Sequence, residues 1–158
     1  MLGKMLRMDE HGFFQLMKVS NRAPDGAMRV CSISLLIETE FLRNKLGGWD
    51  SVKFSADSEL LARAERLLGT DFIVTDTLCM LCLSHEASLS NHKIHGAEPL
   101  MGLSASRLEY QRAWREWHQG ATEDELKLPF PIEYRPFKAP EAMLVPLHDV
   151  ASVLAADN

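Results

Sequence analysis

Three charged side chains, Asp57, Glu59 and Arg63, stand close together where a helix-like segment begins. Unpaired backbone N–H groups and the helix dipole at that point favour the ionised form of Asp57, so a carboxylate is held ready there. Glu59 and Arg63 are four residues apart and can form a surface ion pair worth roughly a few tenths of a kcal/mol. The alternative interpretation is structural: Asp57 caps the helix, and the other two residues lie on its solvated face.

The surrounding pattern predicts an α/β arrangement. The apolar run 28–37 follows the turn signal "APDG" and is typical of a buried strand, and the segment 38–48 is helix-like and ends at two glycines. A second helix is expected over 56–69, because its leucines recur at helical spacing before Gly69. The run 70–84 then has the composition of one or two buried strands.

The order of these motifs resembles family 2 glycosyltransferases with a GT-A fold. "GGWD" at 47–50 and "ADSELLAR" at 56–63 are similar to that family's glycine-glycine-aromatic-aspartate turn and its Glu-Asp-x-Asp/Glu-Leu-x-x-Arg segment. The resemblance is clearest over 31–69 and continues more loosely to "YRPF" at 134–137. It implies a partial GT-A-like, Rossmann-related α/β fold, with strands packed against amphipathic helices, and inverting transfer of a sugar from a nucleotide-sugar to a hydroxyl.

The resemblance also implies roles for individual residues. Asp57 matches the catalytic base that takes the proton of the acceptor hydroxyl, and Glu59 and Arg63 match the charged positions that shape the site. Trp49 matches an aromatic platform for an acceptor sugar, and Asp50 completes the substrate-binding turn. Ala56 departs from the family pattern, which has a glutamate before the aspartate.

The family's donor half should precede this segment, and fewer than thirty residues stand before the apolar run that begins at Met28. The resemblance implies a nucleotide-sugar donor, a glycan or other hydroxyl acceptor, and a divalent metal (Mn²⁺ or Mg²⁺) whose ligands lie mostly outside this chain. We therefore expect a fragment or truncated member that lacks the nucleotide-binding half, with activity dependent on a partner chain or a homo-oligomer.

The last third of the chain predicts an aromatic helix and an extended arm. Ser106 and Glu109 fit a capping box, and Tyr110, Trp114 and Trp117 follow at helical spacing, as in a core stripe. Four prolines between 127 and 140 favour an extended arm, and a weak helix is expected around 147–156. We predict a single domain, 1–158, made of an N-terminal segment (1–27), an α/β acceptor-side part (28–103) and the aromatic helix, arm and tail (104–158). One alternative function is a non-catalytic remnant that binds a glycan or a protein through the aromatic helix.

The other alternative function is a zinc-stabilised interaction module. Five potential ligands are spaced as C-x2-C-x2-H-x6-H-x2-H: Cys79, Cys82, His85, His92 and His95. Thiolates and imidazoles in tetrahedral groups bind zinc well. However, residues three apart in a strand point to opposite faces, so the two cysteines should not converge on one ion. We therefore assign no metal ligands and interpret the cysteines as buried small hydrophobic residues.

Composition excludes several function classes. A net charge of −5 argues against nucleic-acid binding, because phosphate neutralisation needs a basic surface. Apolar runs are far shorter than the ~20 residues that span a bilayer. The three cysteines are an odd number, which favours a reducing compartment over a disulfide framework. The expected location is the cytoplasm, with peripheral membrane association left open.

Overall fold

A computed structural model describes residues 1–13, 28–30, 35–84, 97–98, 102–130, 132 and 134–145. The chain divides into two units, each made of two stretches of sequence. The sheet unit comprises Met1–Leu36 with Thr70–Ala105, and the helical unit comprises Ile37–Gly69 with Ser106–Asn158. The fold is mixed α/β, as the sequence predicts. No helix within the described ranges is long and apolar enough to cross a membrane.

The sheet unit contains a three-stranded sheet in the order β2-β1-β3. Strand β1 (Leu2–Asp9) runs antiparallel to β2 (Met28–Val30) and parallel to β3 (Val74–Ser84). The short strands β4 (Ala97–Glu98) and β5 (Gly102–Leu103) form a separate antiparallel pair. Strand β1 lies in the segment 1–27, for which the sequence pattern indicated no element.

Strand β3 confirms the predicted strand over 70–84 but corrects its predicted burial. It is a single strand of 11 residues, and Leu78, Leu81 and Leu83 along it are each at least half exposed. The reason is its position, since among the described residues β3 pairs with β1 alone and so forms an edge of the sheet. Strand β2 (Met28–Val30) confirms the start of the predicted strand over 28–37, whereas Leu36 near its far end lies in irregular backbone. Residues 31–34 of that prediction lie outside the described ranges.

The helical unit begins with a short helix that ends at glycine. Helix α1 (Thr39–Phe41) continues as a π-helical turn (Leu42–Leu46), and Gly47 follows with a φ of 74°. Few residues other than glycine adopt a positive φ, so the chain turns sharply here. The prediction that a helix stops at this pair of glycines is confirmed.

Two longer helices complete this unit. Helix α2 (Ala56–Leu68) follows Ser55, whose φ of 65° is left-handed, and α3 runs from Ala105 to Gly120. Since α3 begins before Ser106, the predicted capping box at that residue is wrong by position: Ser106 lies inside the helix. Short 3₁₀ turns occur at Gly69–Asp71, Asp124–Leu126 and Glu141–Met143.

The core of the helical unit lies on one face of α3. Tyr110 and Trp114 are buried with Ala139 and Met143, and the ring of Phe137 stacks on Trp117 with 5.3 Å between centroids. The described residues of 127–140 include no regular helix or strand and contribute Phe137 and Ala139 to this core. This agrees with the predicted extended arm, whereas the helix expected around 147–156 lies outside the described residues.

Candidate functional site

The glycine turn 47–50 is built against the segment after α3. A Cβ atom on Gly47 would overlap the carbonyl oxygen of Leu128, so this close approach requires glycine. The N–H of Gly48 donates to the Leu128 carbonyl at 3.0 Å, and the N–H of Leu128 donates to the Leu46 carbonyl at 3.3 Å. The turn and the segment from Leu128 are therefore held together by backbone hydrogen bonds and close packing.

Arg63 lies against this turn and is completely buried. Its Nη1 donates to the carbonyls of Leu46 at 2.5 Å and Leu126 at 3.0 Å, and its Nη2 donates to the carbonyl of Gly48 at 2.7 Å. Both Nε and Nη2 also donate to the carboxylate of Glu59, at 2.6 and 3.0 Å. The guanidinium thus ties α2 to the glycine turn and to the 3₁₀ turn 124–126.

Glu59 is equally buried, which corrects the expected surface ion pair on a solvated face. Besides Arg63, its Oε1 is 2.9 Å from Nε2 of His118 on α3. A buried charge requires a partner and hydrogen bonds, and Glu59 has both. Glu59 and Arg63 are therefore interior residues, and neither side chain is exposed to solvent.

Asp50, the last residue of the turn, forms a second buried network. Its carboxylate accepts hydrogen bonds from the hydroxyl of Tyr110 at 2.9 Å and from Nε of Arg135 at 2.8 Å. Burial raises the pKa of Tyr110 well above its usual range, the charges of Asp50 and Glu59 act in the same direction, and Arg135 opposes them. Asp50 thus anchors the turn to α3 and to the arm.

Asp57 is the second residue of α2 and is partly exposed. Arg107 lies near this helix start, where its Nη1 donates to the Ser55 hydroxyl at 3.0 Å and its guanidinium lies 5.1 Å from the centre of the Phe54 ring. Burial lowers the pKa of Arg107, and the charge of Asp57 acts in the opposite direction. The α2 terminus therefore holds a partly exposed carboxylate within the field of a half-buried cation.

Trp49 is half exposed beside a cavity of about 520 Å³, here called the Trp49 groove. One wall is formed by Leu42, Arg43 and the turn residues 47–49, and the other by the segment 127–130. This volume is within the usual range of small-ligand sites, about 300–1,000 Å³. The groove belongs entirely to the helical unit.

The aromatic helix has a different role from a stacking platform. Tyr110 and Trp114 are buried, so their rings are not available to a ligand, and the interpretation of this stripe as core is confirmed. His118, whose place near the helix end is suited to the helix dipole, is also buried. Its burial follows from spacing, since His118 follows Tyr110 and Trp114 at successive four-residue steps and so shares their helical face.

The cysteines do not form a metal site with any described residue. Sγ of Cys79 donates to the Lys4 carbonyl at 3.0 Å, and Sγ of Cys82 lies 3.5 Å from Sδ of Met5. Cys79 is exposed, which corrects its interpretation as a buried residue. Groups of three or more potential metal ligands are absent from the described ranges, which do not include His85, His92 or His95.

No protein-family model matches this chain, and no curated protein matches it significantly. The resemblance to glycosyltransferases therefore remains a prediction from the sequence motifs.

Proposed function

We propose that this chain forms the acceptor-side part of a GT-A-like glycosyltransferase, which transfers a sugar from a nucleotide-sugar to a hydroxyl with inversion at the anomeric carbon. The observation that carries the proposal is the contact set of Arg63. This buried side chain holds the "GGWD" turn and the start region of α2 in one framework. Those are the two motifs on which the resemblance depends.

Two side chains of the matched motifs are both accessible to solvent and suited to the reaction. Glu59 and Arg63 are buried, whereas Asp57 on the same helix is partly exposed and Trp49 on the same turn is half exposed. Rigid support beneath exposed groups is what a preorganised site requires. We assign Trp49 to sugar contact and Asp57 to proton transfer.

In the proposed step, the acceptor oxygen attacks the anomeric carbon while Asp57 accepts the hydroxyl proton. The bond from that carbon to the diphosphate oxygen breaks, and its electron pair leaves with the nucleoside diphosphate. A hydroxyl is a poor nucleophile until its proton is removed, so a positioned carboxylate contributes on the order of 10²- to 10⁴-fold to the rate. Arg107 places a positive charge near Asp57.

The described residues do not fit the divalent metal that the family implies. Asp57 and Glu59 have the spacing of a D-x-E ligand pair, but the carboxylate of Glu59 is fully buried and committed to Arg63 and His118. Asp50 is similarly committed to Tyr110 and Arg135. No step of the proposed transfer is assigned to a metal held by these residues.

The test is Asp57→Asn in protein expressed from its complete reading frame. The substitution preserves shape and removes the base, so turnover should fall on the order of 10²- to 10⁴-fold with little change in melting temperature. Glu123→Gln is the charge-matched control, because Glu123 is exposed in the same unit. Transfer by Asp57→Asn within about twofold of wild type would show that the base assignment is wrong. A lower melting temperature with unchanged transfer would make Asp57 a structural residue.

A non-catalytic glycan-binding module is the second candidate. The half-exposed Trp49 beside its groove favours it, whereas the buried Tyr110 and Trp114 remove the aromatic helix as the binding surface. Such a module would bind saccharide equally well with Asp57→Asn and would release no nucleoside diphosphate.

A further inference from the structure

We infer that the Trp49 groove binds an acidic saccharide, one that carries a carboxylate or sulfate group beside a sugar ring. The inference rests on the proposed function insofar as it makes this saccharide the acceptor. The shape, rigidity, aromatic surface and charge of the groove support this inference, and binding to the groove can be measured without any donor.

The groove is formed before a ligand arrives. Its two walls are joined by the hydrogen bonds between Gly48 and Leu128 and between Leu128 and Leu46. Beneath them, Arg63 holds carbonyl groups from both sides, those of Gly48 and Leu126. A preformed site loses little conformational entropy on binding, which favours useful affinity from a few contacts.

Two exposed aromatic side chains border the cavity. Trp49 is 50% exposed and Phe130 is 71% exposed, although both are large and apolar. The electron-rich face of an aromatic ring attracts the weakly positive C–H groups of a sugar ring, and the contact removes apolar area from water. Pro129 and Leu128 add apolar surface between them. These features suit a ring-shaped ligand with an apolar face.

The charge of the groove opposes that of the whole chain. The chain has a net charge of −5, yet among the described residues the charged groups that line this cavity are Arg43 and Lys127, both basic. Within the described residues, neither side chain has an ion-pair partner. Arg43 lies near the end of a helical turn and is suited to that dipole, but Lys127 lies outside any helix. Two cations that line an apolar cavity are complementary to an anionic group on a ligand bound there.

The number of charges limits the class of ligand. Two cations in a chain of net charge −5 are too few for a nucleic-acid backbone, which binds through many phosphate contacts. They suffice to orient one or two carboxylate or sulfate groups, with Arg43 able to form a bidentate contact. Combined with the aromatic surface, this selects an acidic saccharide over a neutral one.

The test is titration calorimetry with two acidic probes, a hyaluronan tetrasaccharide and a heparin tetrasaccharide, and one neutral probe, the carboxyl-reduced hyaluronan tetrasaccharide. At least one acidic probe should bind roughly tenfold more tightly than the neutral one at low salt, and the difference should shrink at high salt. The double variant Arg43→Gln/Lys127→Gln should lower that affinity to the level of the neutral probe. Trp49→Ala should weaken binding of the acidic and the neutral probes alike.

The matched control is Lys53→Gln/Lys138→Gln, which removes two exposed positive charges from the same unit outside the groove. It should bind like wild type. Equal affinity for acidic and neutral probes, binding of neither, or an equal loss in both double variants would overturn the inference. Competition by UDP for the same site would overturn it too, since the groove would then hold the nucleotide. If an acidic probe binds but no sugar transfer is detected, this inference stands and the proposed function is wrong. If sugar is transferred to neutral acceptors alone, the proposed function stands and this inference is wrong.

Discussion

Replacing Arg63 by methionine should destabilise the helical unit severely. Methionine fills similar space but donates no hydrogen bond, so the carbonyls of Leu46, Gly48 and Leu126 would each lose their contact with the guanidinium. Glu59 would keep a buried negative charge with His118 as its remaining side-chain partner. Each of these groups lies out of reach of the bulk water that could replace the lost contact.

The size of the stability loss distinguishes the buried contacts of Arg63, here called the Arg63 clamp, from an ordinary surface ion pair. Removing one partner of a buried pair costs about 3–5 kcal/mol, whereas an exposed pair is worth about 0–1 kcal/mol. The buried value corresponds to a fall in melting temperature of roughly 6–20 °C for a chain of this size. Arg63→Lys keeps the charge but cannot reproduce the planar fork, so it should lose much of the same stability.

The assay is urea unfolding followed by far-UV circular dichroism, with Arg66→Met as the control. Arg66 lies on the same helix and makes one hydrogen bond, from Nη2 to the Ala121 carbonyl at 2.6 Å. Its replacement should cost about 1 kcal/mol. If Arg63→Met and Arg66→Met lost the same stability, or if Arg63→Met lost less than about 1 kcal/mol, the clamp would not hold the turn as described.

Two further substitutions test the turn and its anchor. Gly47→Ala should destabilise the protein several times more than Gly69→Ala in thermal melts. Both glycines have positive φ, but only a Cβ atom on Gly47 would meet backbone atoms. Equal losses of stability would show that the positive φ alone determines the cost of the substitution. Burial and the charge of Asp50 raise the pKa of Tyr110 in the folded protein. The un-ionised Tyr110 therefore contributes its full stabilisation below the unfolded-state pKa of about 10. This stabilisation is lost as the pH rises above that value, where only the unfolded state ionises. Wild type should therefore lose stability between about pH 10 and 11 more steeply than Tyr110→Phe, and parallel curves would refute this assignment.

The helices were predictable because their signals are local. Regular spacing of leucines and a glycine stop indicate α2, and glycines likewise mark the end of the turn after α1. The exposure of β3 could not be predicted, since its composition is the same whether a strand lies inside a sheet or at its edge. The edge position follows from pairing with β1, more than 60 residues away in sequence.

The sequence pattern predicted which residues form the candidate site better than it predicted whether those residues are buried. The spacing of Glu59 and Arg63 indicates an ion pair, but only the distant carbonyls of Leu126 and Gly48 make the interior suitable for a guanidinium. The pairing of Asp50 with Tyr110 and Arg135 joins three separate segments and has no local signature. Arg107 is one of several arginines that alternate with the aromatic residues of α3, and its place beside the α2 terminus depends on how α3 packs.

The most direct test of the proposed function is detection of the transfer product itself. Protein expressed from its complete reading frame would be incubated with Mn²⁺, a panel of UDP-sugars and a panel of oligosaccharide acceptors, and the products would be weighed by mass spectrometry. The proposal predicts an acceptor heavier by one sugar residue, a new linkage inverted relative to the donor, and loss of this product in Asp57→Asn. A retained anomeric configuration, or the same product yield from Asp57→Asn as from wild type, would contradict it.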